Sequence, residues 1–270
     1  QIRFASVSVV SEGSGNPVTA GLFALKRAFL SQLGEIVPEP ESSLAGGLLV
    51  GGKQSLGADL EQEFRRAGII HIVVLSGYNI TIVADAAMRL FSFLPRALGM
   101  GAGVFAIILF AVMTGASATI VRASIMALLV VLARATGRTY QITRALLIAG
   151  FLMLLQNPHI LAFDPSFQLS FLSTIGLIYV APLIEKRLGW MPTQFGLREA
   201  AVATFATQLA VLPLLLYQTG QLSLVALPVN LLVLPLIPLS MFLGFLTGMV
   251  GFISTLLALP FGFLLYLPLA

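Results

Sequence analysis

From Ile69 to the end of the chain, apolar runs long enough to enter a bilayer follow one another with only short breaks, and this restricts the fold more than any other feature. Hydrocarbon offers no water to backbone N–H and C=O groups. A chain of this kind therefore crosses as α-helices, at about 20 residues for roughly 30 Å of core. The runs predict spans near residues 69–90, 99–115, 117–134, 143–157, 167–184, 199–217, 222–240 and 244–267. Composition agrees: 58% of the 270 residues are hydrophobic and 10% are charged, where a soluble domain is about a quarter charged. The expected fold class is an all-α polytopic transmembrane helix bundle of about 7–8 spans, several of them broken or re-entrant, with a short amphipathic-helical N-terminal segment.

Two regions are expected, an extracytoplasmic segment over 1–68 and a transmembrane domain over 69–270. Residues 1–10 alternate weakly, like a strand stub. Leu22, Leu25, Phe29 and Leu33 recur at helical spacing and predict an amphipathic surface helix over 18–36, ended by Pro38 and Pro40. The apolar, Gly-rich run over 43–52 is too short to span and predicts a buried or re-entrant turn, and 58–67 predicts a charged helix leading into the first span. The chain begins at Gln1 with no signal-peptide pattern, so it reads as a piece of a longer protein.

Charge is one-sided. Residues 1–68 hold six Lys/Arg against seven Asp/Glu, and the remainder holds nine against four. Arg96, Arg134, Arg138, Arg144, Lys186, Arg187 and Arg198 fall in alternate loops, whereas 115–117, 158–166 and 218–221 have no Lys or Arg. By the positive-inside rule the first set is cytoplasmic and residues 1–68 lie outside, with the chain multi-pass in a plasma membrane. The basic balance suits anionic lipid or a polyanion such as nucleic acid.

Several polar residues interrupt the apolar runs. His71, Ser76, Asn79, Thr81 and Asp85 lie in the first, where helical spacing puts His71, Asn79 and Asp85 within one arc of roughly 120° and Ser76-Gly77 invites a helix break. Arg122 lies about a turn inside the third, where an arginine costs about 2.5–3.5 kcal/mol near mid-helix, so it is expected to face inward. It suits either a pathway cation for an anionic substrate or a structural group bonded to carbonyls. Asp164 enters the fifth span as a helix cap or a pathway residue, and Gln168, Ser170 and Tyr179 follow it. Thr204, Thr207 and Gln208 share a face of the sixth, and Asn230 lies between Pro228 and Pro235. Without cysteine there is no thiol chemistry. His71 and Ser76 lack a nucleophile turn, and no spacing supplies three metal ligands, so no catalytic site, metal or cofactor is expected.

The motifs Gly68-x-x-His71-x-x-x-x-Ser76-Gly77, Gly115-x-Ser117 with Arg122-Ala123, Met126 and Gly137-Arg138, and Asn157-Pro158 with Phe167-Gln168-Leu169-Ser170-Phe171 occur in order. Gln208, Pro213, Gly220-x-x-Ser223, Asn230 and Pro235 follow. Together, over about 42–245, they resemble the ComEC family of competence channels, which carry incoming DNA across the bacterial inner membrane. Tyr78-Asn79 stands where that family often has Leu-His, and Asn157 where Asp is common. The resemblance implies a channel core passing single-stranded DNA inward during natural transformation, and not an enzyme. The expected pathway residues are Arg122, His71, Ser76, Asn79, Asp164, Gln168, Ser170, Gln208 and Asn230. The implied partners are single-stranded DNA, membrane lipid, an external DNA receptor, a cytoplasmic ATP-driven motor, and the nuclease and OB-like domains of a longer parent protein. A secondary transporter for a small anionic substrate is the alternative, since broken helices and an intramembrane arginine suit that too. An assembly scaffold without a pathway is the third.

Overall fold

A computed structural model describes residues 16–51, 57–70, 76–193, 196–220, 223 and 225–270, and every regular element among them is helical. The expected strand over 1–10 and the pathway residue His71 lie outside the described residues. The helices are α1 (Pro17–Ile36), α2 (Glu41–Val50), α3 (Ala58–Ala67), α4 (Gly77–Leu90), α5 (Arg96–Met113), α6 (Ala118–Thr136) and α7 (Ile142–Gln156). They continue as α8 (Pro165–Arg187), α9 (Leu197–Thr219), α10 (Ala226–Gly251) and α11 (Thr255–Leu269). Among them α6, α8, α9 and α10 are long and apolar enough to cross a membrane. Most of α5 and all of α7 and α11 are apolar but shorter. Large side chains such as Phe105, Leu147, Phe151, Leu209 and Phe263 point out of the bundle, as lipid-facing residues must.

Local chemistry sets the helix ends. Asn16 caps α1 by accepting from the Val18 N–H, with Pro17 in the first turn. Ser76 caps α4, so the break expected at Ser76-Gly77 is a helix start. Gly68 and Gly137 take left-handed backbone at the ends of α3 and α6, where a Cβ would be strained.

The last two spans differ from the expectation. The sequence pattern ends one at 240 and starts the next at 244, yet α10 runs unbroken from Ala226 to Gly251 and the turn falls at 252–254. Two local features explain this. A 3-10 turn at Leu234–Leu236 absorbs the N–H groups that Pro235 and Pro238 lack. Gly244, Gly248 and Gly251 serve close packing inside the helix and do not end it. A Cβ at Gly244 would lie 2.7 Å from Leu49, and one at Gly251 2.8 Å from Ile36. The Phe29 ring occupies the space in front of Gly248. Small residues of this kind let helices approach where lipid offers no hydrophobic drive.

That groove receives the N-terminal helices. All ten residues of α2 are buried, which fits the expected buried turn in the form of a short helix. α1 is amphipathic, with Phe29 and Leu33 inside and Phe23 and Leu25 exposed. Phe29, Leu33, Leu48, Leu49, Ile237, Met241 and Leu265 share one core, so α1 and α2 pack into the bundle with α10 and α11.

Within α8 a π-helical segment spans Gly176–Val180, just ahead of Pro182. The proline has no N–H to give and its ring crowds the preceding turn, which the wider segment relieves. At the same place α8 and α9 touch backbone to backbone: a Cβ on Gly176 would lie 2.6 Å from the Ala206 carbonyl oxygen and 2.7 Å from the Ala210 Cβ. Gly176→Ala should therefore destabilise the purified protein by about 1–3 kcal/mol through overpacking, read as a lowered thermal unfolding midpoint in detergent. Gly21→Ala, with nothing within 4 Å, is the control and should not lower it.

Candidate functional site

Arg122 lies in the first turns of α6 and is 8% exposed. An apolar helix carries one cation there, and the guanidinium turns from lipid toward α8. Nε donates to Ser170 Oγ at 2.8 Å and Nη1 to Thr174 Oγ1 at 2.7 Å. Ser170 and Thr174 are four residues apart, so both hydroxyls stand on one face of α8 and match two corners of the planar fork. Met126 Sδ accepts weakly from Nη1 at 3.6 Å. Nη2 faces Gly77 at the start of α4.

Among the described residues no carboxylate lies within ion-pair distance of Arg122; the two ion pairs there, Arg65–Glu61 and Arg89–Asp85, are on the surface. The charge is therefore held by neutral hydroxyls and stays uncompensated. Tyr140, in the loop after α6, is the titratable group that feels it: burial pushes its phenol above the ordinary value and the Arg122 charge offsets part of this. Each hydroxyl is itself fixed or placed by α8, Thr174 Oγ1 donating to the Ser170 carbonyl at 2.8 Å.

Gly77, Arg122 and Ser170 all lie near the starts of their helices, so α4, α6 and α8 begin on the same side of the bundle. Gln218 Nε2 donates to Gln168 Oε1 at 2.8 Å, bringing the end of α9 to that side as well. The three loops without Lys or Arg thus share one face.

The other expected pathway residues are distributed as follows. Asn79 is fully buried, accepting from Ser76 Oγ at 3.0 Å and donating to the Leu48 carbonyl of α2 at 3.2 Å. Asp85, read on the same face from helical spacing, is exposed and paired with Arg89. Asp164 caps α8, accepting from the Ser166 and Phe167 N–H groups at 2.8 and 3.3 Å. Gln168 donates to the Leu161 and Ala162 carbonyls at 2.9 and 3.1 Å, and it points away from Ser170, two residues on. Gln208 is half-buried in α9, and Asn230 is buried in α10 with Oδ1 unbonded among the described residues. Arg122 and Ser170 thus meet directly, and Ser76 and Asn79 pair with each other at the start of α4, next to the Gly77 that Arg122 faces, while Asp164, Gln168, Gln208 and Asn230 are not brought into that contact. Among the described residues no group of three acidic or imidazole side chains is placed to hold a metal ion.

Thr174 and Gly77 belong to the Arg122 site and were not among the expected residues. A signal for Thr174 existed: Ser166, Ser170 and Thr174 recur at four-residue spacing in α8, and hydroxyls aligned in this way mark a face that avoids lipid.

The sequence model described as Competence protein matches residues 48–269, most of the chain. The chain belongs to the Competence protein family. Similar proteins include ComE operon protein 3 of Bacillus subtilis (strain 168), 23% identical over 229 residues, covering 79% of this chain and 27% of that protein. An uncharacterized protein of Aquifex aeolicus (strain VF5) is 30% identical over 129 residues, covering 47% of this chain and 30% of that protein. The chain spans less than a third of the length of either relative. No solved structure matches it. The competence match begins at Leu48, whose carbonyl holds Asn79, and contains the whole Arg122 site.

Asn79 joins α4 to α2 inside the bundle, so Asn79→Ala should leave buried partners unpaired and cost about 1–3 kcal/mol. Asn79→His keeps a donor for the Leu48 carbonyl and should cost less. Thermal midpoints of the two variants in the same detergent check the order.

Proposed function

We propose that the chain is the membrane channel core of a DNA-uptake protein, passing single-stranded DNA into the cytoplasm during natural transformation. The observation that carries this reading is the Arg122 guanidinium, buried between helices, held by hydroxyls and with no acidic partner among the described residues. Such a cation suits a phosphodiester backbone, because a guanidinium pairs with phosphate through a fork and needs no information about base identity. A neutral shell also favours release, since an anion held by one charge and several hydroxyl or amide groups binds weakly enough to move on. Membership of the competence family and the likeness to ComE operon protein 3 support the same assignment. In this reading the chain is a conduit and not an enzyme, and strand degradation and pulling belong to other domains and partners: an external receptor, a motor, and the nuclease and OB-like domains of the parent protein.

The interrupted helix α8 also suits a secondary transporter for a small anion. Reconstituted protein separates the two readings. Saturable exchange of a small labelled anion without any dependence on single-stranded DNA would replace the channel by the transporter.

Arg122→Gln should abolish or strongly reduce DNA uptake with the amount of folded protein in the membrane nearly unchanged. Arg122→Lys should retain part of it, since a point charge remains without the fork. A fall in membrane protein parallel to the fall in uptake would assign Arg122 a structural role, and normal uptake by the Gln variant at normal level would remove it from the mechanism.

The basic loops around Arg134–Arg144 and Lys186–Arg198 face the cytoplasm in this reading, with residues 1–68 on the outside. The chain has no cysteine, so single introduced thiols report sidedness. Ser43 is buried and unsuitable, whereas Glu63 and Thr139 are exposed. In intact cells an impermeant thiol reagent should label Glu63→Cys and spare Thr139→Cys; the reverse pattern would invert the topology.

A further inference from the structure

Gly77 is the first residue of α4, and the Arg122 side chain ends against it. A Cβ built on Gly77 would lie 2.7 Å from Nη2, 3.9 Å from Cζ and 3.7 Å from the Ala123 Cβ. Non-bonded heavy atoms rest at about 3.5–4.0 Å, so a methyl group there requires the guanidinium to recede by about 1 Å.

The usual reasons for a glycine are missing at this position. Its backbone is helical, not left-handed, so any residue adopts it. Alanine is the better helix former, so propensity favours a side chain. Space for the Arg122 guanidinium is what remains.

We infer that Gly77 is a positioning residue for Arg122: its missing side chain leaves the room in which the guanidinium reaches Ser170 and Thr174 at once. The third corner of the fork abuts α4, while the other two are engaged at 2.8 and 2.7 Å on α8. A displacement of about 1 Å away from α4 takes the planar group out of register with two hydroxyls fixed on one helix face, beyond ordinary hydrogen-bond length for at least one of them. What gives way is the free end of a long side chain, not a helix backbone. The predicted damage is therefore to the site and not to the fold, unlike that at Gly176, where the obstacle is the Ala206 carbonyl. The consequence for transport rests on the proposed role of Arg122, whereas the geometric statement does not.

The experiment has two arms, one on each statement. In a transformable host carrying the full-length protein, Gly77→Ala should lower DNA uptake by about tenfold or more, the effect of losing one charge-assisted hydrogen bond, with membrane protein at the parent level. In an Arg122→Lys background, whose ammonium has no Nη2 group, Gly77→Ala should cause no further loss. In purified protein, Ser170→Ala and Thr174→Ala should each lower the thermal unfolding midpoint when Gly77 is intact, and at least one of the two should have no further effect when combined with Gly77→Ala, because the bond it removes is already gone. Three results would overturn the inference: unchanged uptake by Gly77→Ala together with additive midpoints, a Gly77→Ala loss that persists in full with Arg122→Lys, or a fall in protein level that accounts for the fall in uptake. Should Arg122→Gln take up DNA normally, the transport reading of Arg122 fails, and the midpoints alone then decide whether Gly77 positions it.

Discussion

A guanidinium among apolar helices needs acceptors, and the meeting of α4, α6 and α8 is arranged around that need. An arginine near mid-helix costs about 2.5–3.5 kcal/mol on an insertion scale, and a hydrogen bond to a charged group returns about 1.5–3 kcal/mol. The two bonds from Arg122 to Ser170 and Thr174 are thus of the size required to hold the cation inside the bundle. They do so without neutralising it. A carboxylate would have formed a shorter, stronger hydrogen bond, but it would also have cancelled the charge. Hydroxyls on one face of α8 satisfy the donors and leave the charge in place.

The same constraint, that polar groups in lipid must be satisfied by protein, explains features remote from Arg122. Pro182 removes a backbone donor from α8, and the π-helical segment at Gly176–Val180 takes up the irregularity where α9 packs closest. Pro235 and Pro238 are carried by a 3-10 turn inside α10. Neither irregularity faces open hydrocarbon alone, because Gly176 abuts Ala206 and Ile237 lies in the core shared with α1 and α2. Association here relies on close fit of small residues and a few polar ties, and α2, buried along its whole length, is held by both: Leu49 against Gly244, and its Leu48 carbonyl on Asn79.

Polar residues inside the apolar runs fall into two kinds that look alike in sequence. Asp164 and Ser76 close helix ends, and Gln168 ties the short helical turn at Ile160–Phe163 to α9 through the Leu161 and Ala162 carbonyls and Gln218. Arg122 alone brings an uncompensated charge into the interior among these. Helical spacing groups Asn79 with Asp85, yet one is fully buried and the other pairs with Arg89 at the surface. The arc of a helix that is covered depends on which neighbours arrive, and a period of 3.6 residues does not carry that information.

Sequence alone determined the all-helical membrane fold, most of the helix ends and the inward turn of Arg122, because those follow from forces acting within one or two turns: burial of apolar side chains, capping groups, and the penalty for a charge in lipid. It also brought the competence family into view through motifs in fixed order. Only the tertiary structure decided that Arg122 rests on hydroxyls 48 and 52 residues away, that Gly77 leaves room for it, that α10 continues through its prolines to Gly251, and that α2 lies inside the core. Each of these depends on which helix lies against which. An apolar run states that a segment must be covered by lipid or protein, and packing between segments far apart in the chain selects the cover.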